Sequence, residues 1–426
     1  MTGGLMQLVA YGAQDIYLTG NPMITYFKVV YRRHTNFAME SIQQTFNGTV
    51  GVGKRVTALI SRNGDLVSGM HLEVKLPRSD QSYVTDVGHH VVQQVEVEIG
   101  GQLIDRHYAD WLEIWAQLTV PASKKLGYRH MIGQDHMAAD GAPTGLQTQG
   151  GANVAGGSRT LFVPLQFWFC RNVGLALPLI ALQYHEVKVN IQFATTAQLT
   201  EGALTGDIEA SLWVDYIYLD TDERRRFAQV SHEYLIEQLQ FTGGEAYNAL
   251  AAGGAGAAAT TRSQSINLNF NHPVKELVWV CKETGAQFAS SFVSGNKIAG
   301  ALDNFAGTNS TGINPVSLAK LQLNGHDRFA ERDGNYFSRV QPYQVHTCIP
   351  DSPGINVYSF ALKPEDHQPS GTCNFSRIDN AKLQLTLTGG VADAGNALLG
   401  GTIKVFATNY NVLRVMSGMG GLAYSN

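Results

Sequence analysis

Histidines and carboxylates are the side chains of this 426-residue chain that would carry metal or acid-base chemistry, and their spacing indicates neither. None of the thirteen histidines forms an H-x-H or H-E-x-x-H pair, the spacings typical of many metal sites. His71 and Glu73 share one face of a predicted strand, which favours a solvated face over a catalytic pair. The remaining carboxylates are scattered and indicate no pair across a cleft. We therefore predict no enzymatic activity, no metal and no cofactor.

Two glycine-rich segments resemble the sequence motifs of nucleotide-binding loops. GTVGVGKR (Gly48 to Arg55) has the glycine spacing of a P-loop, but Arg55 replaces the magnesium-binding hydroxyl residue and a strand follows where a helix is needed. GMGGLA (Gly418 to Ala423) matches a dinucleotide-binding pattern, but only three residues follow it. We expect a β-turn at the first segment, and a flexible tail or a close backbone approach at the second.

The charge balance argues against nucleic acid as a direct, sequence-specific partner. The formal net charge is -4, whereas wholesale nucleic-acid binding needs a strongly basic face. A local basic cluster remains in residues 31–34, YRRH, with Lys28 before it. An exposed charge run is the simplest interpretation, and contact with nucleic acid, lipid phosphates or an acidic partner stays open.

The cysteines and the N-terminus indicate the compartment. The four cysteines are widely spaced and form no C-x-x-C pair, which predicts reduced thiols rather than a zinc site or a disulfide framework. The opening MTGGLMQLVAYGAQD has no basic region followed by an apolar core, so no signal peptide is predicted. We expect a protein synthesised in the cytosol.

Period-two alternation of apolar and polar residues dominates the chain and predicts strands with one solvent-exposed face. In HLEVKLP, for example, Leu72, Val74 and Leu76 alternate with Glu73 and Lys75. VEVEIGG, VKVNIQF, INLNF and KLQLTLT repeat the pattern. The Gly/Ala-rich residues 133–157 and 249–261 should form long surface loops. The fold class predicted is all-β and antiparallel.

The same set of short strand patterns occurs twice in the same order. ESIQQTF, HLEVKLP, VEVEIGG and YHEVKVNIQF in the first half correspond to LIEQLQF, ELVWVCK, KLQLNG and DNAKLQLTL in the second. A duplicated β-domain explains this, and two such domains with long loops are typical of jelly rolls. Between them, Asp220 followed by Glu223 resembles a helix-capping box. We expect the linker arginines to pair with its acids, that is, Arg224, Arg225 and Arg226 with Asp220, Asp222 and Glu223. The predicted parts are an N-terminal arm (1–34), a first jelly roll (35–219), a linker (220–232) and a second jelly roll with a tail (233–426).

Long segments around these strands resemble the major capsid proteins of large icosahedral double-stranded DNA viruses, above all those of algal viruses of the chlorella-virus type. The resemblance is carried by GGLMQLVAYGAQDIYLTGNPMITYFKVVYRRHTNFAMESIQQTFNG, VDYIYLDTDERRRFAQVSHEYLIEQLQFTG, DRFAERDGNYF, QPSGTCNFSRIDNA and NYNVLRVMSGMGGLAYSN. It spans nearly the whole chain and weakens in the Gly/Ala-rich loops. It implies two consecutive eight-stranded antiparallel jelly rolls, three chains in a pseudo-hexagonal capsomer, and capsomers that tile the facets of an icosahedral shell.

The resemblance also implies a role for the N-terminal arm. In this family the arm lies on the inner side of the capsomer, near minor capsid proteins and the internal viral membrane. Its expected contact residues are Tyr17, Tyr26, Phe27, Arg32 and Arg33. The partners expected are therefore two further copies of the chain, neighbouring capsomers, minor capsid proteins and that membrane.

Similar algal-virus capsid proteins carry glycans on outward loops, attached by viral machinery. Asn309, in a polar loop of the second half, is the first candidate here, and Asn304 is the second. Asn47, at a predicted strand end, and Asn374, in a predicted inter-strand segment, also stand in N-x-S/T sequons, but we do not choose either as a candidate.

The prediction is a structural protein of the virion capsid, assembled in the host cytoplasm. Two alternatives stay open at this point. A carbohydrate-binding jelly-roll protein would bind sugar saturably and form a monomer or small oligomer. A minor capsid or vertex protein would share the fold but be scarce in virions.

Overall fold

The structure is a computed structural model of the full chain. It describes residues 3–24, 29, 31–79, 83, 84, 86–133, 159–200, 203–248, 250, 260–283, 314–388 and 400–425, together with the short strands at 136–137 and 143–144. Most of the loops predicted at 133–157 and 249–261 lie outside the described residues.

The chain divides into two compact units, Met1–Phe37 and Ala38–Asn426. The first unit contains two short helices, α1 (Gly3–Val9) and α2 (Ile16–Thr19), neither of which has a buried residue. The second unit contains nearly all of the strands. Both of the halves that the sequence predicts as jelly rolls lie in this second unit.

The described strands and helices from residue 37 onward fall into two similar sets. The first set, in chain order, is β1 (Phe37–Gln44), β2 (Phe46–Asn47), β3 (Arg55–Leu59), β4 (Leu66–Leu76), β5 (Arg78–Ser79), α3 (Val87–Val91), β6 (Val92–Ile99), β7 (Gln102–Tyr108), α4 (Ala109–Thr119), α5 (Ala122–Ile132), β8 (His136–Met137), β9 (Pro143–Thr144), β10 (Arg159–Pro164), α6 (Trp168–Arg171), β11 (Leu177–Pro178), β12 (Val187–Phe193), α7 (Thr196–Leu199), β13 (Leu204–Thr205) and β14 (Glu209–Leu219). The linker helix α8 (Thr221–Gln229) follows. The second set is β15 (His232–Tyr247), β16 (Thr261–Asn267), β17 (Pro273–Glu283), β18 (Val316–Leu323), β19 (His326–Asp327), β20 (Arg332–Asp333), α9 (Gln341–Val345), β21 (Asn356–Ser359), β22 (Cys373–Asn374), β23 (Ala381–Thr388), β24 (Gly401–Met416) and β25 (Met419–Leu422). Single 3₁₀ turns lie at Val173–Leu175, Leu179–Ala181 and Phe375–Arg377, and a π-helical turn at Tyr336–Val340.

Each set builds two large antiparallel sheets of the same strand order. In the first half the orders are β1-β14-β4-β10 and β2-β3-β12-β6-β7, and in the second half they are β15-β24-β17-β21 and β16-β23-β18-β19. β2 continues the path of β1 into the facing sheet, so each half has eight principal strands. The prediction of two eight-stranded antiparallel jelly rolls is confirmed.

The internal repeat extends to the backbone of equivalent turns. Gly101, between β6 and β7, has φ 82°, and Gly325, between β18 and β19, has φ 81°. The residues before them, Gly100 and Asn324, also have positive φ, of 59° and 50°. Two consecutive residues with positive φ give the twist that a tight hairpin needs, and glycine adopts this conformation without a steric penalty.

The sheets of each half enclose an apolar core made from alternating residues. On β4, Leu72, Val74 and Leu76 are fully buried while Lys75 is exposed, as the period-two pattern predicts. The second half packs in the same way around residues such as Leu383 and Leu385 of β23.

The linker is helical, as predicted, but one of its side chains has a different partner. Asp220 caps α8, its carboxylate accepting a hydrogen bond from the Thr221 N–H. Arg224 pairs with Asp65, at 3.0 Å, and not with the acids of its own helix. Asp65 also accepts from the Leu219 N–H. The prediction for Arg224 was wrong because this carboxylate lies in the first jelly roll, far away in sequence.

Candidate functional site

In the described part of the chain, a buried helix and buried ionic groups lie between the two jelly rolls. Helix α4, in the connection between β7 and β10, packs its apolar face on the outer side of β17 and β24. Trp111 and Trp115 meet Val278, Val280 and Phe406 there. The ring centroids of Trp111 and Phe406 are 5.6 Å apart. This helix turns the outer face of the second jelly roll into a buried interface.

The helix forms here because its apolar residues recur with helical spacing. Trp111, Ile114, Trp115 and Leu118 stand at positions i, i+3, i+4 and i+7 and are all buried. Pro121, which follows shortly after the helix end, cannot continue it. Neither α4 nor its successor α5 was predicted from the sequence, although the helical spacing of the apolar residues in α4 was an available signal.

A carboxylate of α4 holds two lysines of the second jelly roll. Lys282 Nζ on β17 lies 2.5 Å from Asp110 Oδ1, and Lys404 Nζ on β24 contacts Asp110 Oδ2. Burial alone would raise the pKa of Asp110, but the charges of the two lysines lower it well below its ordinary value. Asp110 is therefore a buried anion whose partners belong to the other jelly roll.

A second buried ionic group also spans the two halves. Glu237 on β15 lies 2.9 Å from Arg171 of the first jelly roll and 2.7 Å from Lys275 of the second. Burial alone would raise the pKa of Glu237, but the adjacent His367 and the charges of both basic partners lower it to about 2. The guanidinium of Arg171 also stacks 4.3 Å from the ring centroid of Trp115. Removing one charge from such a group leaves the others buried without compensation.

The second jelly roll contains a histidine held between two carboxylates. The side chain of His346 is fully buried, with Nε2 3.1 Å from Glu276 and Nδ1 2.9 Å from Glu365. Burial alone would lower the pKa of His346, but Glu276 and then Glu365 raise it to about 9. This histidine is a cation at neutral pH.

The C-terminal segment returns to the first jelly roll. The Tyr184 N–H donates to the Gly418 carbonyl at 2.9 Å, next to strand β25. A Cβ atom added to Gly420 would lie 2.5 Å from Leu182 Cδ2, so only glycine fits there without displacement. GMGGLA is thus a close backbone approach, one of the two outcomes predicted for it.

The glycine-rich segment GTVGVGKR forms a turn, as predicted, and not a nucleotide-binding loop. In GTVGVGKR, Gly48 and Gly53 have positive φ, and β3 begins at Arg55, so the segment is a turn that enters a strand. Lys54 pairs with Asp207 at 3.4 Å.

Among the described residues, no group of three or more His, Cys, Asp or Glu side chains is placed to hold a metal ion. No helix within the described ranges is long and apolar enough to cross a membrane.

The predicted assembly-arm residues are only partly described. Tyr17 on α2 is 88% exposed, and Arg32 and Arg33 are exposed in irregular backbone. Tyr26 and Phe27 lie outside the described residues. The structure does not bring the three described residues into one site.

The glycosylation candidates Asn309 and Asn304 also lie outside the described residues. The two other sequon asparagines are described and exposed. Asn47 ends the short strand β2, and the Asn374 side chain accepts from the Ser376 N–H at 3.0 Å.

Two family models together match almost the whole second unit and part of the first. The model described as the major capsid protein N-terminus matches residues 25–220, and the model described as the large eukaryotic DNA virus major capsid protein matches residues 223–421. The junction between them falls in the linker, at the start of α8.

Relatives and solved structures agree with these matches. The chain is 54% identical to the major capsid protein of Pyramimonas orientalis virus and 47% identical to that of Paramecium bursaria Chlorella virus 1, over the full length of each chain. It matches the quasi-atomic model of the PBCV-1 virus capsid with a TM-score of 0.77 at 41% identity, over 94% of this chain and all of that one. The Faustovirus major capsid protein, at 12% identity and a TM-score of 0.66 over 97% of this chain and 96% of that one, shares the fold. The chain therefore belongs to the major capsid proteins of large eukaryotic DNA viruses and is a structural protein of the virion capsid.

Proposed function

We propose that the chain builds the facets of an icosahedral shell, as a homotrimer with a pseudo-hexagonal outline. The observation that supports this most is the single compact unit of residues 38–426, in which two jelly rolls share one strand order. Three such units around a threefold axis would present six similar domains, an outline that approximates sixfold packing. Neighbouring capsomers would then meet through similar surfaces on every side.

We propose that the chain acts by assembly and not by catalysis. Buried ionic groups around Asp110 and Glu237 bridge the two jelly rolls and so hold the building block in one shape. A shell gains stability from many modest contacts made at once, and these contacts require a building block of fixed geometry.

We propose that the N-terminal arm makes contacts beneath the shell, with minor capsid proteins and the internal membrane. It is a unit of its own, and its exposed residues include the aromatic Tyr17 and the basic Arg32 and Arg33. Tyr26 and Phe27 belong to the same proposed contact set. Assembly would take place in the host cytoplasm.

We propose Asn309 and Asn304 as the glycan-bearing residues. Both stand in a polar stretch of the second half, and Asn309 begins an N-x-T sequon. Mass spectrometry of peptides from purified virions tests this, with Asn47 and Asn374 as internal controls. Glycan on the controls alone would contradict the assignment.

Light scattering of the purified chain tests the trimer. Three chains of 46.3 kDa give a mass of about 139 kDa, and we expect this mass for the full chain. A variant lacking residues 1–34 should remain a trimer, because the jelly rolls lie in the other unit. A monomer in both forms would contradict the preformed capsomer and favour the carbohydrate-binding alternative.

The abundance of the chain distinguishes a facet protein from a minor capsid or vertex protein. A facet protein should be the most abundant protein of purified virions, whereas a vertex protein should be present in a small number of copies. Quantitative mass spectrometry of virions measures this ratio directly.

A further inference from the structure

A cavity of about 370 Å³ lies between the two jelly rolls. His90 and Asp110 line it from the first jelly roll, and Lys282, Thr402 and Lys404 line it from the second. A volume of this size accommodates a small molecule rather than a single water. The capsid function described above does not use this cavity.

The charges of the groups that line the cavity do not sum to zero. Two lysines share one carboxylate, so Asp110, Lys282 and Lys404 together carry an excess positive charge. The lysine side chains are 21% and 25% exposed, which leaves both within reach of solutes. Each ammonium has three N–H donors and gives one to Asp110, so further donors are available to a second acceptor.

The N-terminus of α4 adds to the positive potential of the cavity. Tyr108, the N-cap residue, and Ala109, the first residue of the helix, both line it. The Tyr108 side chain makes no capping hydrogen bond. The first backbone N–H groups of a helix lack intrahelical partners and favour an anion.

An unpartnered histidine nitrogen supplies an independent sign of a ligand. His90 is 4% exposed, and its Nε2 has no hydrogen-bond partner among the described residues. Burial and then the charge of Lys282 lower the pKa of His90 to about 3, so the ring is neutral at physiological pH. A buried polar atom without a partner is costly unless a ligand or water satisfies it.

We propose that this cavity binds a small oxyanion, a phosphate or a carboxylate, between Lys282, Lys404 and His90. The two ammonium groups would donate charge-assisted hydrogen bonds, and the imidazole would donate from Nε2. Because the ligand would contact both jelly rolls, its binding would stabilise their association. Any ligand that binds only the folded chain raises its stability by RT ln(1 + [L]/Kd), where [L] is the free ligand concentration.

Calorimetric titration of the full-length chain tests the proposal, with inorganic phosphate as the first probe and acetate as the second. We expect saturable heat with at least one of them, and a raised melting temperature relative to chloride at equal ionic strength. Phosphate binding alone would assign the ligand to the phosphates, and acetate binding alone to the carboxylates. No saturable heat with either anion would overturn the proposal.

Substitution of one lysine localises the site. Lys404→Met should weaken binding by about tenfold or more, because it removes a charged donor. Lys54→Met is the matched control, since Lys54 lies in an exposed pair with Asp207, and it should bind as the wild type does. Lys404→Gln and Lys282→Gln provide the same test if Lys404→Met does not fold. Unchanged affinity in a folded variant would overturn the proposal.

Discussion

The two jelly rolls share one strand order but differ in what covers the outer faces of their central strands. In the first, β4 and β14 direct residues such as Lys75 and Trp213 outward, where they are exposed or half-buried. In the second, the equivalent strands β17 and β24 direct Val278, Val280 and Phe406 outward, and these residues are fully buried. Helix α4 of the first jelly roll supplies the cover.

This difference shows how a duplicated fold becomes one body. The two copies are not interchangeable, because one contributes a helix and the other contributes an apolar surface that the helix buries. Strands buried on both faces lose the alternating pattern and become continuous apolar runs, as in LVWVC at residues 277–281. The buried charges of Asp110 and Glu237 also pair residues of one copy with residues of the other.

Truncation of Trp111 should cause the largest loss of stability among the variants that test this comparison. Trp111→Ala should lower the free energy of unfolding by about 4 kcal/mol, because it leaves a large cavity at a fully buried site. Trp213→Ala is the matched control on the outer face of the first jelly roll. It should cost about 1 kcal/mol, since Trp213 is half-buried and can relax into solvent.

Urea denaturation followed by circular dichroism measures both variants. Equal losses would show that the outer faces of the two jelly rolls are energetically alike and would contradict the role given to α4. Separate transitions for the two halves in Trp111→Ala would support it most directly.

Neutralising Glu237 should have the next largest effect. Glu237→Gln should cost about 3 kcal/mol, because Lys275 is 1% exposed and would be left buried without a countercharge. Glu233→Gln, on the same strand, is the control. Its pair with Arg414 is exposed and should contribute well under about 1 kcal/mol.

The double variant Glu237→Gln with Lys275→Met sharpens the test. Removing both charges should restore part of the lost stability, since no uncompensated cation remains at position 275. A double variant as unstable as the sum of the single variants would show that the two charges do not interact.

Alkaline pH should weaken the second jelly roll through His346. The ordinary pKa of histidine is 6.5, and the pKa of His346 in the folded chain is about 9. Its stabilising contribution is therefore complete below pH 6.5 and is lost as pH rises through 9. This difference in pKa corresponds to about 3 kcal/mol.

Measurements of the unfolding free energy at several pH values between 6 and 10 check this prediction. His346→Gln should be less stable than the wild type at pH 6 and should show a flatter dependence on pH across this window. A variant with the same slope as the wild type would place the alkaline loss on another group.

The sequence predicted the fold because its strands follow local rules. Alternation in segments such as Leu72–Leu76 and the repeated order of strands are local patterns that also specify the sheets. The interface between the jelly rolls could not be predicted in the same way. Asp110 and Lys404 are 294 positions apart, and no pattern of spacing joins residues at that separation. Arg224 was assigned to neighbouring acids for the same reason, whereas its partner Asp65 is distant in sequence.

The smallest expected change in stability concerns the equivalent hairpin turns, at which the two jelly rolls remain alike. Gly101→Ala and Gly325→Ala both place a side chain at φ near 80°, and neither new Cβ would meet a heavy atom within 4 Å. The cost at each site is therefore the backbone strain alone, about 1 kcal/mol, and it should be equal at the two turns. Paired denaturation curves of the two variants measure the difference. A clear inequality would mean that the stability of the two hairpins depends on their surroundings, so that the duplication would preserve the shape of the turn without preserving its energy.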